Sequence, residues 1–318
     1  MFKESESIFY SYPIEDKSIF IIEAKKSINP IVWLQENKED FAKALLRFGG
    51  ILLRNFDIHA VSEFNRFAQE ICSHLLNYTY RSTPRTNLGG KIYTATEYPA
   101  DQHIPLHNEN SYSDSWPSKI MFFCVIPAKE GGETPIADSR KVFKRLDKEL
   151  IDKFIKKGIL YVRNYTPGVD LSWQEVFQTS DKLEVEKYCN EHSIEYSWNE
   201  KGPELTTKQI CQSVLTHPFT KEDVWFNQAH LFHVSGLKKE IVQSLLTEFE
   251  EGHLPRNAYY GDSSPIEEDV LEKIRDAYDK ESIVFKWQRG DLMVLDNILM
   301  AHGRKPFSGE RKIAVAMG

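Results

Sequence analysis

Two stretches of this chain, about 195 residues apart, carry side chains that can bind a single metal ion. The first contains His107 and Glu109, and the second contains His302. Because His107 and Glu109 are two positions apart, their side chains point to the same face if this stretch is a β-strand. A site that uses both stretches requires them to share one folded core. This spacing therefore argues against a chain divided into separate domains between them.

The stretch around His302 has the pattern of two strands joined by an irregular segment. A Gly290-Asp291 turn precedes the apolar run Leu292–Leu295, and an Arg-led strand, Lys312–Met317, follows His302. Two imidazoles and one carboxylate, with the remaining positions open, form the ligand set of non-heme Fe(II) oxygenases. The pattern alone leaves two other interpretations open. His107-x-Glu109 also fits a solvated strand edge, and His302 also fits a core histidine that tethers a glycine-rich turn.

Composition excludes several classes of partner and of protein. The net charge of −7 and the isoelectric point near 5.9 provide no basic surface for nucleic acid or an anionic membrane. The amino-terminal stretch lacks the apolar run of a secretory signal, and no stretch has the apolar length of a membrane span. The cysteines are too scattered for a disulfide scaffold or a zinc knuckle: Cys72, Cys124, Cys189 and Cys211. We expect a cytoplasmic protein that binds a small molecule.

Hydrophobic periodicity predicts one domain over residues 1–318, mainly β with surrounding helices. Helices are expected at residues 39–48, which Gly49-Gly50 would end, and at 61–75. Strands are expected at 91–96, 120–126, 216–219, 224–227, 283–287, 292–295 and 312–317. Residues from roughly 140 to 215 are predicted to form a helical insertion.

Five short motifs, in this order, resemble those of the taurine dioxygenase (TauD/TfdA) family of Fe(II)/2-oxoglutarate oxygenases. The likeness is strongest to the branch similar to clavaminate synthase and the syringomycin-biosynthesis hydroxylase. The motifs lie within residues 45–140 and 216–318. They are Leu106-His107-Asn108-Glu109, Gly131-Gly-Glu-Thr134, Trp225-Phe-Asn-Gln228, Asp291 with Asp296-Asn297, and His302-Gly-Arg304 with Gly309-x-Arg311.

The resemblance implies a double-stranded β-helix (jelly-roll) core with Fe(II) held by His107, Glu109 and His302. Three protein ligands leave three coordination positions, two for 2-oxoglutarate and one for O2. The resemblance also implies that Arg311 and Thr134 bind the distal carboxylate of 2-oxoglutarate, because a planar guanidinium matches a carboxylate in a way that Lys cannot. The best-known members have Asp as the carboxylate ligand, whereas the clavaminate-synthase-like branch has Glu. A carboxylate here argues against a halogenating variant.

Polar residues near these motifs are candidates for binding the primary substrate. They suit an amino-acid-like or carboxylate-bearing molecule, either free or tethered to a carrier protein. These candidates are Arg85, Asn110, Tyr112 and Asn227, with Arg85 equally compatible with a surface position. The remaining histidines near Trp225 are not predicted to be ligands: His217, His230 and His233.

The sequence thus predicts a dioxygenase that hydroxylates, or otherwise oxidises, an unactivated C–H bond in natural-product or amino-acid metabolism. Two alternatives remain: a jelly-roll metal-binding or scaffold protein without redox chemistry, and a zinc hydrolase that uses the same three ligands. The oligomeric state, the oxidised carbon and the identity of the substrate are not determined by the sequence.

Overall fold

The computed structural model describes residues 2, 6–12, 19–77, 80, 82–201 and 203–318. Strands and helices alternate through this part of the chain. The strands are β1 (Ile8–Ser11), β2 (Phe20–Ala24), β3 (Gly50–Arg54), β4 (Asn87–Gly89), β5 (Ile92–Thr94), β6 (Ile104–His107), β7 (Lys119–Ile126), β8 (Glu130–Gly131), β9 (Ile136–Asp138), β10 (Ile159–Tyr165), β11 (Glu195–Trp198), β12 (Leu205–Cys211), β13 (Val214–Thr216), β14 (Asp223–Trp225), β15 (Arg256–Tyr260), β16 (Leu292–Asp296), β17 (Met300–Arg304), β18 (Phe307–Ser308) and β19 (Lys312–Met317).

The α-helices lie mostly outside the large sheet. They are α1 (Pro30–Glu36), α2 (Lys38–Phe48), α3 (Val61–Ile71), α4 (Ser139–Arg145), α5 (Lys148–Lys157), α6 (Trp173–Phe177), α7 (Lys182–Glu191), α8 (Ala229–Phe232), α9 (Lys239–Glu248) and α10 (Glu268–Glu281). Helix α2 ends where predicted, since Gly49 adopts φ 72° in the left-handed region. Helix α3 is shorter than predicted and ends at Ile71, with Cys72 as its C-cap. Among the described residues, no helix has both the length and the apolar character needed to cross a membrane.

An eight-stranded sheet forms the largest layer, in the order β1-β2-β3-β16-β7-β19-β5-β4. Its strands pair antiparallel except for β2 and β3. Successive side chains of a strand point to opposite faces, and β16 follows this rule with both faces buried. Leu292 and Val294 pack with the helical layer of α1 to α3, whereas Met293 and Leu295 face the interior beneath the smaller sheets. The predicted β core with helices outside it is therefore observed.

A three-stranded sheet, in the order β6-β17-β9, faces the interior side of the large sheet. Every residue of β17 is buried, and Met300 packs in the same cluster as Phe122 of β7 and Ile136 of β9. This sheet carries two of the predicted ligands, so the packing between the two layers fixes their position.

The segment at residues 140–215 contains more strand than predicted. Helices α4 to α7 are present, but β10, β11 and β12 also lie here and form a four-stranded sheet with β15. Strand β12 buries alternate residues, Leu205, Thr207, Gln209 and Cys211, and this two-residue period is a strand signal in the sequence. The prediction that this segment is purely helical was therefore wrong. The single domain over residues 1–318 stays a prediction.

The predicted strand at residues 283–287 is also wrong. Only Ile283 pairs, in an isolated antiparallel bridge with Ile136. The apolar residues of this stretch pack as individual side chains instead, and the Trp287 indole reaches the hydroxyl of Thr134. Of these residues Trp287 is buried, Ile283 and Phe285 are partly buried and Val284 is exposed, so the apolar run predicted a strand that does not form. Two predicted strands near residue 220 are displaced, since β13 ends at Thr216 and β14 ends at Trp225.

Candidate metal centre

The pairing of β6 with β17 brings two of the predicted ligands side by side. His302 lies directly opposite His107 in this antiparallel pair. Opposite residues of neighbouring strands share a face of the sheet. The two imidazole centroids are accordingly 4.6 Å apart, and the ring of Phe122 packs edge-on against His302 at 5.3 Å. Two segments that are far apart in the sequence therefore meet at adjacent strands.

Gly303 allows this close approach of the two strands. A Cβ atom built on Gly303 would lie 2.6 Å from the carbonyl oxygen of Ile104 and 3.3 Å from the nitrogen of Leu106. The first distance is shorter than van der Waals contact, so a larger residue here would push β6 away from β17. The close approach of β6 and β17 therefore explains why a glycine follows His302.

Glu109 completes the group from the turn that follows β6. Its Oε2 lies 3.6 Å from Nε2 of His302, and the carboxylate and both imidazoles offer donor atoms that all lie within 4.8 Å of one another. Glu109 and His302 are buried and His107 is partly buried. In the described part of the chain, this is the one group of three or more His, Cys, Asp or Glu side chains with such convergence. Imidazole nitrogen and carboxylate oxygen are suitable ligands for divalent iron.

The hydrogen bonding of His107 fixes which ring nitrogen can bind a metal. Its Nδ1 lies 2.8 Å from the carbonyl oxygen of Pro105. Since a carbonyl oxygen only accepts, Nδ1 carries the proton and Nε2 keeps its lone pair. Burial and, to a smaller extent, the neighbouring His302 lower the pKa of His107 to about 4. The imidazole is therefore neutral at neutral pH, as a metal ligand must be.

Glu109 is ionised despite its burial. Burial by itself would raise the pKa of this carboxyl group, but the Arg85 guanidinium and the His302 imidazole outweigh it and hold the pKa well below its usual range. The Arg85 Nη2 donates to Oε2 of Glu109 at 2.8 Å, and both side chains are 3% exposed. The sequence offered Arg85 as a substrate-binding or surface residue; the structure buries it against the carboxylate.

Arg311 and Thr134 lie next to each other at the same site. The hydroxyl oxygen of Thr134 accepts from the Trp287 indole at 3.0 Å and from Nη2 of Arg311 at 3.5 Å. Both partners are donors, so the hydroxyl proton of Thr134 remains available to another acceptor. Burial, followed by the nearby Arg304, lowers the pKa of Arg311 to about 10, which leaves it charged at neutral pH. Among the described residues, no ion pair joins this guanidinium to a carboxylate.

These side chains line one cavity beside the two strands. Phe122, Ile104 and Val315 supply apolar wall, and the charged or polar lining comes from His107, His302, Thr134, Arg85, Arg304 and Arg311. The residues present fit a divalent metal with a dianionic cosubstrate, since three donor atoms converge, two of them from histidines that line this cavity, and the partly buried Arg311 guanidinium lines it as well.

The sequence matches a known family over nearly its whole length. The family model described as "Taurine catabolism dioxygenase TauD, TfdA family" matches residues 21–317. The chain belongs to this family. The resemblance drawn from the five motifs is thereby confirmed, and the protein is an oxidoreductase of the non-heme iron, 2-oxoglutarate-dependent dioxygenase type.

Two curated proteins and one solved structure place this TauD, TfdA dioxygenase among its relatives. The dapdiamide synthesis protein DdaC of Enterobacter agglomerans is 42% identical over 269 residues, which cover 85% of this chain and 82% of the relative. A clavaminate synthase-like protein of Arabidopsis thaliana is 30% identical over 85% of this chain and 81% of its own. The crystal structure of PvcB from Pseudomonas aeruginosa superposes with a TM-score of 0.57 at 13% identity, covering 99% and 92% of the chains. The predicted jelly-roll core with helices outside it is confirmed.

The structure does not bring all four predicted substrate residues of this TauD, TfdA dioxygenase into the cavity. Tyr112 is buried in the core, and its hydroxyl donates to the carbonyl oxygen of Tyr80. Asn227 is fully buried, with its amide bonded to Ser213 and Ala229. Both side chains are bonded to main-chain groups in this structure. That they contact the substrate stays a prediction.

Asn110 and Arg85 are placed differently from those two residues. Asn110 adopts φ 56° next to Glu109 and accepts a 3.4 Å hydrogen bond from the Tyr112 hydroxyl. It is partly buried but does not line the cavity. Arg85 does line the cavity. Of the four, Arg85 alone therefore borders the space beside the candidate metal ligands.

Sequence reasoning missed the role of Arg304 in the dioxygenase fold. Its guanidinium donates to the carbonyl oxygens of Tyr98, Pro99 and Gln102 at 2.6–2.9 Å, which ties strand β17 to the segment before β6. The signal was present, since Arg304 follows His302 by two residues in the His-Gly-Arg motif. A residue two positions along a strand shares the face of the first.

The other buried histidines of the dioxygenase bind protein groups instead of converging with the three ligands. His217 has Nε2 3.3 Å from Asp296, while its Nδ1 accepts from the main chain at Thr220. Nε2 of His230 lies 2.9 Å from the carbonyl oxygen of Leu106. Each therefore has a structural partner.

Proposed function

We propose that His107, Glu109 and His302 hold an Fe(II) ion, and that Arg311 and Thr134 bind the distal carboxylate of 2-oxoglutarate. The observation that carries this proposal is the convergence of three donor atoms within 4.8 Å, where the two histidines line the same cavity as Arg311. When bound, the metal activates O2 with 2-oxoglutarate as the co-reductant, and the reaction releases succinate and carbon dioxide.

The protein's own residues bind, orient and exclude water in this reaction. The proton on Nδ1 of His107 keeps Nε2 free for the metal, and Arg85 keeps Glu109 charged. Arg311 offers a charged donor to the cosubstrate, and the Thr134 hydroxyl adds a neutral one. Phe122 and Val315 form an apolar wall beside these groups, and the low dielectric of such a wall strengthens electrostatic contacts next to it.

We propose that the substrate is an amino-acid-like small molecule that is hydroxylated or otherwise oxidised at an unactivated C–H bond. The likeness to a dapdiamide synthesis protein supports a role in natural-product biosynthesis. Presentation on a carrier protein and a cytoplasmic location are further parts of this proposal. With its net charge of −7 the chain has no feature that favours nucleic acid or an anionic membrane as a partner.

The decisive experiment measures succinate formed from 2-oxoglutarate in the presence of Fe(II), ascorbate and O2. The wild-type protein should form succinate, with a rate that rises when the correct amino-acid-like substrate is added. His107→Ala and His302→Ala should abolish this, and a chelator should do the same to the wild type. Tight metal binding without succinate from any substrate pool would favour the scaffold alternative, and activity with Zn(II) without O2 would favour the hydrolase.

The cosubstrate assignment is tested with Arg311→Gln. Loss of a charge-assisted pair worth about 1.5–3 kcal/mol should raise the KM for 2-oxoglutarate about 10- to 100-fold. Arg289→Gln is the matched control, because Arg289 is exposed and its Nε donates to the carbonyl oxygen of Val125 outside the cavity. An Arg311→Gln enzyme with the wild-type KM would contradict the assignment.

A further inference from the structure

Asn297 hydrogen-bonds to both main-chain groups of Glu109, its N–H and its carbonyl oxygen. The Glu109 N–H donates to Oδ1 of Asn297 at 2.8 Å, and Nδ2 of Asn297 donates to the Glu109 carbonyl oxygen at 3.0 Å. Asn297 is fully buried and follows the last residue of β16. A side-chain amide has one donor end and one acceptor end, so it replaces the peptide of a neighbouring strand.

The bonds between these two segments run in both directions. Nδ2 of Asn297 also donates to the carbonyl oxygen of Pro117 at 2.9 Å. In return, Nδ2 of Asn108 donates to the carbonyl oxygen of Asn297 at 2.6 Å. Each segment therefore supplies an asparagine side chain that binds the main chain of the other. The stretch that carries Glu109 is thereby joined to the stretch that leads into β17 and His302.

Glu109 needs such support because it lies beyond the end of a strand. Strand β6 ends at His107, and the residue after Glu109, Asn110, has φ 56° in the left-handed region. The β6–β17 ladder therefore does not fix the Glu109 peptide. A carboxylate ligand is directional, and its direction depends on the main chain from which it projects.

We propose that Asn297 is a positioning residue that sets the affinity of the site for a divalent metal by fixing the main chain of Glu109. This inference rests on the proposed function, in which Glu109 is a metal ligand. Asn297 does not touch the metal, and it acts through the direction of the carboxylate. The competing explanation is that a buried amide stabilises the fold without affecting the site.

Asn164 provides a matched control for that explanation. It is also buried, and its Nδ2 donates to the carbonyl oxygens of Gly252 and Leu254 at 2.9 and 2.7 Å. Its Oδ1 accepts from the Thr206 hydroxyl at 2.8 Å. Asn164 and Asn297 thus make the same kinds of bond, but Asn164 lies in β10 of the four-stranded sheet. Removing either amide removes comparable hydrogen bonding.

The experiment measures the Kd for Mn(II), by the electron paramagnetic resonance signal of the free ion, for four variants. These are Asn297→Ala, Asn297→Asp, Asn164→Ala and Asn164→Asp, each also unfolded in urea. Asn297→Ala should bind Mn(II) about 10- to 100-fold more weakly, the usual effect of removing a group that orients a metal ligand. Asn297→Asp should also bind Mn(II) more weakly, since it keeps the acceptor for the Glu109 N–H but turns a second acceptor toward the carbonyl oxygens of Glu109 and Pro117. The Asn164 variants should lose stability but keep the wild-type Kd.

Three results would overturn the inference. These are a wild-type Kd in Asn297→Ala, an equal loss of affinity in the Asn164 and Asn297 variants, and a failure of both Asn297 variants to fold when the Asn164 variants fold. If the wild-type protein itself bound no Mn(II), the proposed function would fail. If the wild-type protein bound Mn(II) and the Asn297 variants bound it with the same Kd, this inference would fail and the proposed function would stand.

Discussion

Arg85 and Glu109 form an ion pair in which neither side chain has appreciable contact with water. Moving two charges into a protein interior carries a large desolvation cost, and mutual attraction offsets it only while both partners are present. The carboxylate oxygen that Arg85 binds, Oε2, is also the one that faces His302. The same oxygen therefore has a cation beside it before a metal ion arrives.

Arg85→Met should lower the free energy of unfolding of the metal-free protein by about 3–5 kcal/mol, because it leaves a buried carboxylate unpaired. Urea denaturation measures the loss. Arg54→Met is the control, since Arg54 pairs with buried Asp291 through two hydrogen bonds at 2.7 and 3.0 Å. Excess Mn(II) should stabilise both variants, because both keep the three candidate ligands. The gain should be larger in Arg85→Met than in Arg54→Met, since only Glu109 can exchange its lost guanidinium for the metal ion. Equal rescue of both variants would contradict the prediction.

His230 predicts a pH dependence of stability. Burial lowers the pKa of His230 to about 3, and its hydrogen bond to the carbonyl oxygen of Leu106 opposes this only in part. In the unfolded chain a histidine has a pKa of about 6.5. Between these values the unfolded state binds one proton more than the folded state at this residue. This contribution to stability is therefore complete above about pH 6.5 and is lost as the pH falls toward 3.

The free energy of unfolding should fall less steeply with decreasing pH in His230→Gln than in the wild-type protein. Between about pH 6 and pH 4 the slope should become smaller by up to about 1.4 kcal/mol per pH unit, which corresponds to one proton. Urea denaturation at several pH values measures it. The control is His253→Gln, because His253 is exposed and its surroundings change little on unfolding. An unchanged slope in His230→Gln would show that His230 is protonated in the folded protein.

At the scale of elements, the pairing of β6 with β17 determines the distance between the two imidazoles. Gly303→Ala should lower the free energy of unfolding by about 1–3 kcal/mol, because its Cβ overlaps the Ile104 carbonyl oxygen. It should also weaken Mn(II) binding by moving His107 away from His302. Gly252→Ala is the control, since nothing lies within 4 Å of a Cβ there. A wild-type Kd for Mn(II) in Gly303→Ala would contradict the prediction, because it would show that β6 shifts without moving His107.

Elements with a strong local pattern, either a continuous apolar run or an amphipathic stripe, were predictable from the sequence. The apolar run at 120–126 corresponds to β7, and the stripe of Phe64 and Phe67 corresponds to α3. Residues 283–287 were not predictable, because an apolar stretch indicates burial but not the presence of a neighbouring strand to pair with. Strand β10 is buried at all seven positions, so it lacks the alternation that identifies a strand with one face in water.

At the scale of the whole molecule, motifs predicted which distant segments meet, but not what each polar side chain does there. His107, Glu109 and His302 were expected to converge, and they do lie together. Other placements depend on how segments pack, which no local pattern describes. Examples are the contact of Arg85 with Glu109 and the burial of Tyr112 and Asn227 in the core. A polar residue near a motif is as often bonded to the main chain as it is directed at a ligand.

Strand β19 should be essential for the fold as a whole, because it lies between β7 and β5 within the large sheet. A chain that stops after Arg311 should lose cooperative urea unfolding, since β7 and β5 would each expose an unpaired edge. Deletion of residues 1–11, which removes the edge strand β1, is the comparison and should keep a cooperative transition. A cooperative transition in the chain lacking β19 would contradict the prediction.

The position of β19 also has a consequence for biosynthesis on the ribosome. Strand β7, the later of the two neighbours of β19, emerges from the exit tunnel nearly 190 residues before the strand that separates it from β5 in the sheet. At about 5–20 residues per second, this interval lasts from roughly 10 to 40 seconds. The nascent chain must keep the two edges apart for that time, which makes them targets for chaperones until the segment that carries Arg311 and β19 is translated.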